Sequence, residues 1–450
     1  MAKESIDQIT SRLEDWFEQD KNARSNVDWQ WFTYDLFYSG NHYARWDRDT
    51  QQIVTSAKDA GRPKLTINKI YATCRNVANW VMRSDPKAEV TPDDLTPDNL
   101  DDALIATKYL DYLHDKLRLK NKLRQSLKQA LRYSVGYWKV VWDEEKQEVD
   151  VQVVHPYDLY WDSTARTEKE ARRLTVCVRR PLSYLQNNPL YDQEAVNGVR
   201  PDGKLAESDI YSRFLAHDRG MSTNGSQADT VIVKEHWYYG TDKKDRDTIY
   251  VAATANGVTI RKPEATDLTE LPFFVLRSDV EPLQMYGEGW IKNMIDPQKM
   301  LNRGESNIAE YNDLINKVKI VIDRGAGVRT INNQHGQIIE KKKGFNIQPL
   351  SPAPMSSVQL NQITNAMQYM EDLGAMHDAS LGRIPIGAKS GAAIEALQFG
   401  DSMSLSELSE GMQTFLMDVY EYILSLVSQK YQFVREIKPT TRTGEREFLK

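Results

Sequence analysis

Apolar residues in this chain recur every three or four positions over long stretches and alternate over short ones, which predicts long helices interrupted by small antiparallel sheets. Ile6, Ile9, Leu13, Trp16 and Phe17 keep helical spacing, and the aromatic run Trp29, Trp31, Phe32, Tyr34, Phe37 and Tyr38 continues it to a stop at Gly40-Asn41. Rings clustered this way either stack on the bases of a single strand or pin amphipathic helices to a core. Ile67, Ile70, Cys74, Val77 and Trp80 or Val81 form the seam of a further helix that ends before Asp85-Pro86. Thr96-Pro97 opens a long helical region with proline at its first position and Asp98, Asp101 and Asp102 against the positive end of the dipole. Its Leu119, Leu123, Leu127 and Leu131 face one way, and Gly136 ends it.

Strand signals follow. Residues 137–143 and 149–154 form a hairpin around Glu144-Glu145-Lys146, and residues 174–179, 231–239 and 248–253 are further strands, with a short helix near Leu182. Asn256-Gly257 is the strongest hairpin turn in the chain. Residues 187–230 are polar and turn-rich, a long surface excursion with at most a short helix at 209–214.

The C-terminal third has a different order. Asp296 can cap a helix with Pro297 at its first position, and Leu301, Gly304, Ile308, Tyr311, Ile315 and Val318 gather on one stripe. Gly304 on that stripe lets a neighbouring backbone come close. Residues 318–322 and 337–340 have β character and predict a small sheet, before Pro349, Pro352 and Pro354 stiffen the return. Leu360, Ile363, Met367, Met370, Leu373 and His377 mark a second helix about 30 Å long. Residues 380–391 hold three glycines and a proline and must be a loop. A third helix runs from about 392 to 431, with Leu405, Leu408, Met412, Phe415, Val419, Tyr422 and Leu426 at near-heptad spacing.

Composition narrows the chemistry. With 450 residues and 40% apolar content the chain can bury a sizeable core of two or three domains or one elaborated body. Its 58 Lys and Arg against 64 Asp and Glu give a net charge of −6, where a protein gripping DNA phosphates tightly is usually basic. The basic run of Lys116, Arg118, Lys120, Lys122, Arg124, Lys128 and Arg132 meets nucleic acid, or an acidic neighbouring subunit, or is a solvated helix face. Two cysteines, Cys74 and Cys177, do not make a disulfide framework and suit a reducing compartment as buried thiols. No stretch approaches 18 consecutive apolar residues, and Met1-Ala-Lys-Glu-Ser lacks the apolar core of a signal peptide. The seven histidines show no metal-ligand spacing, no nucleophile elbow occurs, and the carboxylates are scattered, so no metal, cofactor or catalytic set is expected.

Several motifs together carry a resemblance. Tyr286-Gly-Glu-Gly, Asp296-Pro-Gln298 with Asn302 and Ser306, two helices flanking a β insertion, and a Gly/Pro loop with Ser390-Gly391-Ala392 opening a long helix are similar to the portal protein of tailed bacteriophages. Residues 62–68, Arg-Pro-Lys-Leu-Thr-Ile-Asn, match an early motif of that family, and residues 154–162 look like its wing sheet. The resemblance implies an α+β portal-like fold, helix-rich, with wing β-sheets, paired stem helices and a small clip. It assigns 1–282 to the wing, 283–316 to the first stem helix, 317–358 to the clip, 359–378 to the second stem helix, 379–391 to the tunnel loop and 392–450 to a long wing or crown helix and C-terminal segment.

It further implies a non-enzymatic homo-oligomer, a dodecamer in the virion, forming a channel at the capsid vertex for double-stranded DNA. Terminase, the tail adaptor, capsid and scaffolding proteins are its partners, and assembly takes place in the host cytoplasm. Arg383 and Lys389 would face the channel from the tunnel loop, and Lys341, Lys342 and Lys343 would belong to the clip. Twelve copies would carry a charge of about −72, a field that lets DNA pass rather than holding it. Two rival readings stand beside it: an enzyme acting on phosphates through residues 382–390, and a helical scaffold or adaptor without a channel. The loop departs from a phosphate-binding fingerprint, with an extra residue between Gly387 and Lys389 and a helix before it in place of a strand.

Overall fold

Ser5 starts the longest helix among the described residues: its hydroxyl accepts the Gln8 N–H and the Gln8 side chain accepts the Ser5 N–H, a capping box that satisfies two first-turn amides. That helix, α1 (Ile6–Ser39), ends where Gly40 turns left-handed at φ 90°. The computed structural model describes residues 5–47, 52–55, 62–83, 86–92, 94, 96–202, 214, 229–241, 245–279, 284–316, 319–328, 331, 338–350, 354–378, 380–381 and 391–430. A two-stranded hairpin follows α1, β1 (Ala44–Asp47) with β2 (Gln52–Thr55), and then α2 (Lys69–Val81), α3 (Pro97–Lys116) and α4 (Leu119–Tyr133).

The expected continuous helix after Pro97 is broken at Arg118, which sits in the left-handed region at φ 52°. The turn lets the leucine seam of α4 face the sheet beneath it. Gly136 does not end that helix. Ser134, at φ 72°, does, and Gly136 lies in β3 (Val135–Asp143), where a Cβ would stand 2.5 Å from the Ser126 carbonyl oxygen of α4. The glycine is required for close helix-to-strand approach.

β3 is the centre of a three-stranded antiparallel sheet between β4 (Glu148–Val154) and β10 (Phe273–Arg277). The second sheet is a five-stranded antiparallel array of β5 (Leu159–Trp161), β6 (Arg173–Pro181), β7 (Thr230–Tyr239), β8 (Ile249–Ala255) and β9 (Val258–Ala265). Asn256 and Gly257, at φ 50° and 75°, make the β8–β9 turn that the Asn-Gly pair predicts. Two short helices, α5 (Leu182–Asn187) and α6 (Gln193–Asn197), lie in the β6–β7 connection. The short helix expected at 209–214 lies outside the described residues except for Phe214, which is buried against Phe32 and Leu36.

The C-terminal part comprises α7 (Ile295–Asn316), the pair β11 (Lys319–Ile322) and β12 (Ile347–Leu350), α8 (Ser357–Leu373), α9 (Gly391–Ser404) and α10 (Ser406–Lys430). The chain is thus α+β with small antiparallel sheets.

The two faces of the three-stranded sheet separate the core. Trp138, Val140, Val149 and Val151 meet the leucines of α4 and the seam Leu408, Met412, Phe415 and Val419 of α10, with the Trp138 and Phe415 rings edge to face at 4.9 Å. Each such side chain, fully buried, contributes about 1.5–3 kcal/mol. On the opposite face Tyr137 and Phe273 pack with Trp31 of α1, Ile70 and Cys74 of α2, the five-stranded sheet and the base of α7 and α8. Of the aromatic run of α1, Trp31, Phe32, Tyr34 and Phe37 are buried, Tyr38 is half-buried and Trp29 is exposed. Trp31 is 1% exposed and donates to the Tyr133 carbonyl. Cys74 and Cys177 are free, and burial pushes the Cys74 thiol up to about 12.

Candidate functional site

The helices α7 and α8 form a pair joined to the body at one end only. Near the body Ile295, Gln298, Leu301 and Asn302 of α7 and Ile363, Ala366 and Met370 of α8 are buried. Beyond them the pair opens to solvent, with Leu314, Ile315, Val358 and Leu360 each more than 40% exposed. Helix α7 starts at Ile295 behind a 3-10 turn at Lys292–Met294, so Asp296 lies inside it and pairs with Lys299 at 3.0 Å rather than capping it.

Gly304 does bring its neighbour close, but the neighbour is a side chain: a Cβ there would stand 2.4 Å from Cγ1 of Ile363. Alanine at 304 gains about 1 kcal/mol of helix propensity and loses about 1–3 kcal/mol to overpacking. We expect Gly304→Ala to destabilise the parent protein and to stabilise an Ile363→Ala background, a reversal of sign readable in urea denaturation; equal effects in both backgrounds would remove the contact from the account.

The motifs at 62–68 and 298–306, 230 residues apart in sequence, meet here. Residues 62–70 run antiparallel along α7, and one side chain from each successive turn receives them. Glu310 pairs with Arg62 at 3.3 Å, Ser306 Oγ accepts the Leu65 N–H at 2.9 Å, and Asn302 Oδ1 accepts the Ile67 N–H at 3.1 Å. Gln298 Oε1 accepts the N–H groups of Lys69 and Ile70, at 3.0 and 3.3 Å, and its Nε2 donates to the Ile67 carbonyl at 2.7 Å.

Lys69 and Ile70 open α2, whose first-turn amides have no partner within the helix. Gln298 supplies two of those partners and Asn68 a third, accepting the Tyr71 N–H at 2.9 Å. Asn302 Nδ2 also lies 2.6 Å from His42 Nδ1, and His42 Nε2 lies 2.8 Å from the Phe37 carbonyl. The carbonyl can only accept, so Nε2 carries the proton and Nδ1 accepts from Asn302. Burial holds the His42 pKa below its ordinary value, which keeps the ring neutral and this assignment in place. The polar spacing 298, 302, 306 and 310 is a helical signal visible in the sequence; its target, the backbone of 62–70, is not.

The insertion between the helices is a two-stranded sheet with both faces open, Ile320, Val321 and Leu350 being 40%, 53% and 57% exposed. Its second strand is not the expected 337–340. Residues 338–340 carry no strand, and β12 pairs instead, with Lys319 opposite Leu350 and Ile322 opposite Ile347. The two helices must return to one another, so the strands adjoining them pair at the base, and Pro349 is tolerated because neither strand of a two-stranded sheet has a second neighbour. Beyond that base the Asp323 carboxylate accepts the Asn346 N–H at 2.7 Å and the Ala326 carbonyl accepts the Lys342 N–H at 3.0 Å. Lys341, Lys342 and Lys343 are exposed there, with the Lys341 ammonium on the Phe345 carbonyl.

At the opposite end of α8, the expected loop residues Arg383 and Lys389 lie outside the described residues, as does the rest of 382–390. The segments flanking them are described. Helix α8 stops at Leu373 with Gly374 as its C-cap, so His377 lies beyond the helix and does not end its seam, and α9 and α10 replace the single helix expected from 392, separated at Leu405. The basic run from 116 to 132 is partly spent internally, Lys116 on Glu148, Lys122 on the Val151 carbonyl and Arg132 on Asp35.

Among the described residues no group of three or more His, Cys, Asp or Glu could hold a metal ion, and no helix is long and apolar enough to cross a membrane. A family model described as phage P22-like portal protein matches residues 15–450 of the chain. Comparison with curated proteins finds no match.

Proposed function

Because the chain belongs to the phage P22-like portal protein family, we propose that it forms a ring at one vertex of the capsid, the head-to-tail connector through which double-stranded DNA is packaged and ejected. The family match over nearly the whole length carries this reading. Three features of the molecule support it. The helix pair α7–α8 leaves apolar residues uncovered away from the body, as subunits that close on one another require. Helix α9 exposes Leu397, Phe399 and Met403 at 47%, 65% and 60%. The net charge of −6 suits a wall that DNA slides past.

In this reading α7 and α8 are the stem, 317–358 is the clip, 379–391 is the tunnel loop with Arg383 and Lys389 toward the bore, and the rest is wing and crown. The role is structural rather than enzymatic. Twelve subunits are expected, with terminase and a tail adaptor docking in turn on the clip and assembly in the host cytoplasm. Electron microscopy of the purified protein tests the proposal: a closed ring with a central hole is expected, and a reconstruction should place 379–391 at the bore. A species that stays monomeric at every concentration and inside capsids, or one that hydrolyses nucleotides by itself, overturns it.

The clip assignment makes a separate prediction. Replacing 338–343 with a Gly/Ser linker removes the exposed Ile338, Ile339 and the three lysines while sparing the β11–β12 base. Rings should still form and DNA packaging should be lost. Packaging at the parental level by that variant would show that the motor docks elsewhere.

A further inference from the structure

Helix α9 is held to the body in an unusual way. Among the described residues of its 14 positions only Asp401 is buried, at 3% exposure, while its apolar side chains face solvent. A helix with this composition normally anchors through its apolar face. Here the anchor is a carboxylate, and its partners among the described residues are His377 and Ser380. Asp401 Oδ1 is 2.6 Å from His377 Nδ1, Oδ2 accepts the His377 backbone N–H at 3.1 Å, and the Ser380 hydroxyl donates to the same Oδ2. His377 Nε2 is in turn 3.1 Å from the Asp372 carboxylate of α8.

Both ring nitrogens thus face carboxylates, which accept only, so the clasp is complete only when the imidazole carries both protons. Helix α9 leads into α10 with the Leu405 N–H still bonded to the Asp401 carbonyl at 3.2 Å. Release at Asp401 would therefore free α9 to pivot about Leu405 without unfolding α10, whose own seam is buried in the core.

We propose that His377, Asp401, Asp372 and Ser380 form a proton-dependent clasp that fixes the direction of α9, and that loss of the His377 proton loosens it, because the neutral ring keeps one N–H for Asp401 but gives up the bond to Asp372 and the positive charge beside a buried carboxylate. This inference does not rest on ring formation. The charged groups facing His377 are Asp372 on α8 and Asp401 on α9, and Asp378 is its neighbour in the chain. Their direction of action is consistent: the hydrogen bond to Asp401 is the largest influence and, with Asp372, holds the His377 pKa above 6.5 despite partial burial. A raised histidine pKa stabilises the clasped form fully below the ordinary value and progressively less as pH rises through the raised value. The clasp therefore loosens above 6.5.

Hydrogen exchange of the full chain from about pH 6 to about pH 9 tests this, taking the amides of 406–430 as the internal reference at each pH and monitoring subunit number by native mass spectrometry. Protection of 391–404 relative to that reference should fall several-fold as pH rises in the parent. His377→Arg keeps the positive charge without titrating in this range, so its protection should be independent of pH. His377→Gln should be poorly protected throughout. A flat profile in the parent, or a His377→Arg profile that follows the parent, overturns the proposal. If His377→Gln loses protection at 406–430 as well, it has lost the fold, and the parent and arginine profiles alone decide.

Discussion

Methionine in place of Arg24 is expected to destabilise the folded chain by about 3–5 kcal/mol, the cost of leaving a buried charge without its partner. Arg24 is 1% exposed and sits under the turn that joins the two sheets. Its guanidinium donates to the Pro156 carbonyl at 3.1 Å, the Tyr157 carbonyl at 2.8 Å and the Leu159 carbonyl, pairs with Asp28 at 2.9 Å, and stacks 3.5 Å from the Tyr160 ring centroid. Burial opposes the charge, but the Tyr160 and Asp28 groups outweigh it and hold the guanidinium pKa above its ordinary value.

Methionine fills much of the same volume and satisfies none of these groups. It leaves three carbonyls and a carboxylate in the core. Adding Asp28→Leu should recover part of the loss, since it removes the uncompensated charge while the Tyr157 and Leu159 carbonyls still lack the guanidinium; the Pro156 carbonyl keeps the Leu159 N–H. Urea denaturation of the single and double variants measures both numbers, and a single-variant loss below about 1 kcal/mol, the net worth of one ordinary hydrogen bond, would refute this account of the turn.

The second large effect is expected at Gln298. Leucine there preserves bulk on a residue that is 0% exposed but strips partners from the Lys69 and Ile70 amides and the Ile67 carbonyl. The Lys69 N–H and the Ile67 carbonyl keep each other at 2.9 Å, so the buried Ile70 amide carries most of the cost and a loss of about 1–3 kcal/mol is expected. The damage should be local first. Exchange of the amides at 65–71 should accelerate and trypsin should cut at Arg62 or Lys64 before the rest of the chain opens. Uniform destabilisation with no early cleavage would mean that 62–70 is held by something other than α7.

The local elements were legible in the sequence because each depends on signals a few residues apart. The seam Leu408, Met412, Phe415 and Val419 was set by helical period and is buried as that period requires. The Asn256-Gly257 turn was set by two residues that tolerate positive φ. The order of helix, β insertion and helix was readable too, and with it the family. Errors fell where a local preference met a distant demand. Ile338 and Ile339 have the character of a strand, yet β12 forms at 347–350, because closing the insertion between two returning helices outweighs β propensity. Gly136 looked like a helix stop and is a strand residue under α4.

The tertiary structure alone decided which polar groups meet. Gln298, Asn302 and Ser306 on one helix, and the backbone of 62–70 far away in the chain, carry no sequence signal for one another, since hydrogen bonding depends on distances that only the fold sets. His377 and Asp401 are the same case on a shorter scale. Periodicity marked His377 as the end of an apolar seam, and the fold made it half of the clasp that holds α9.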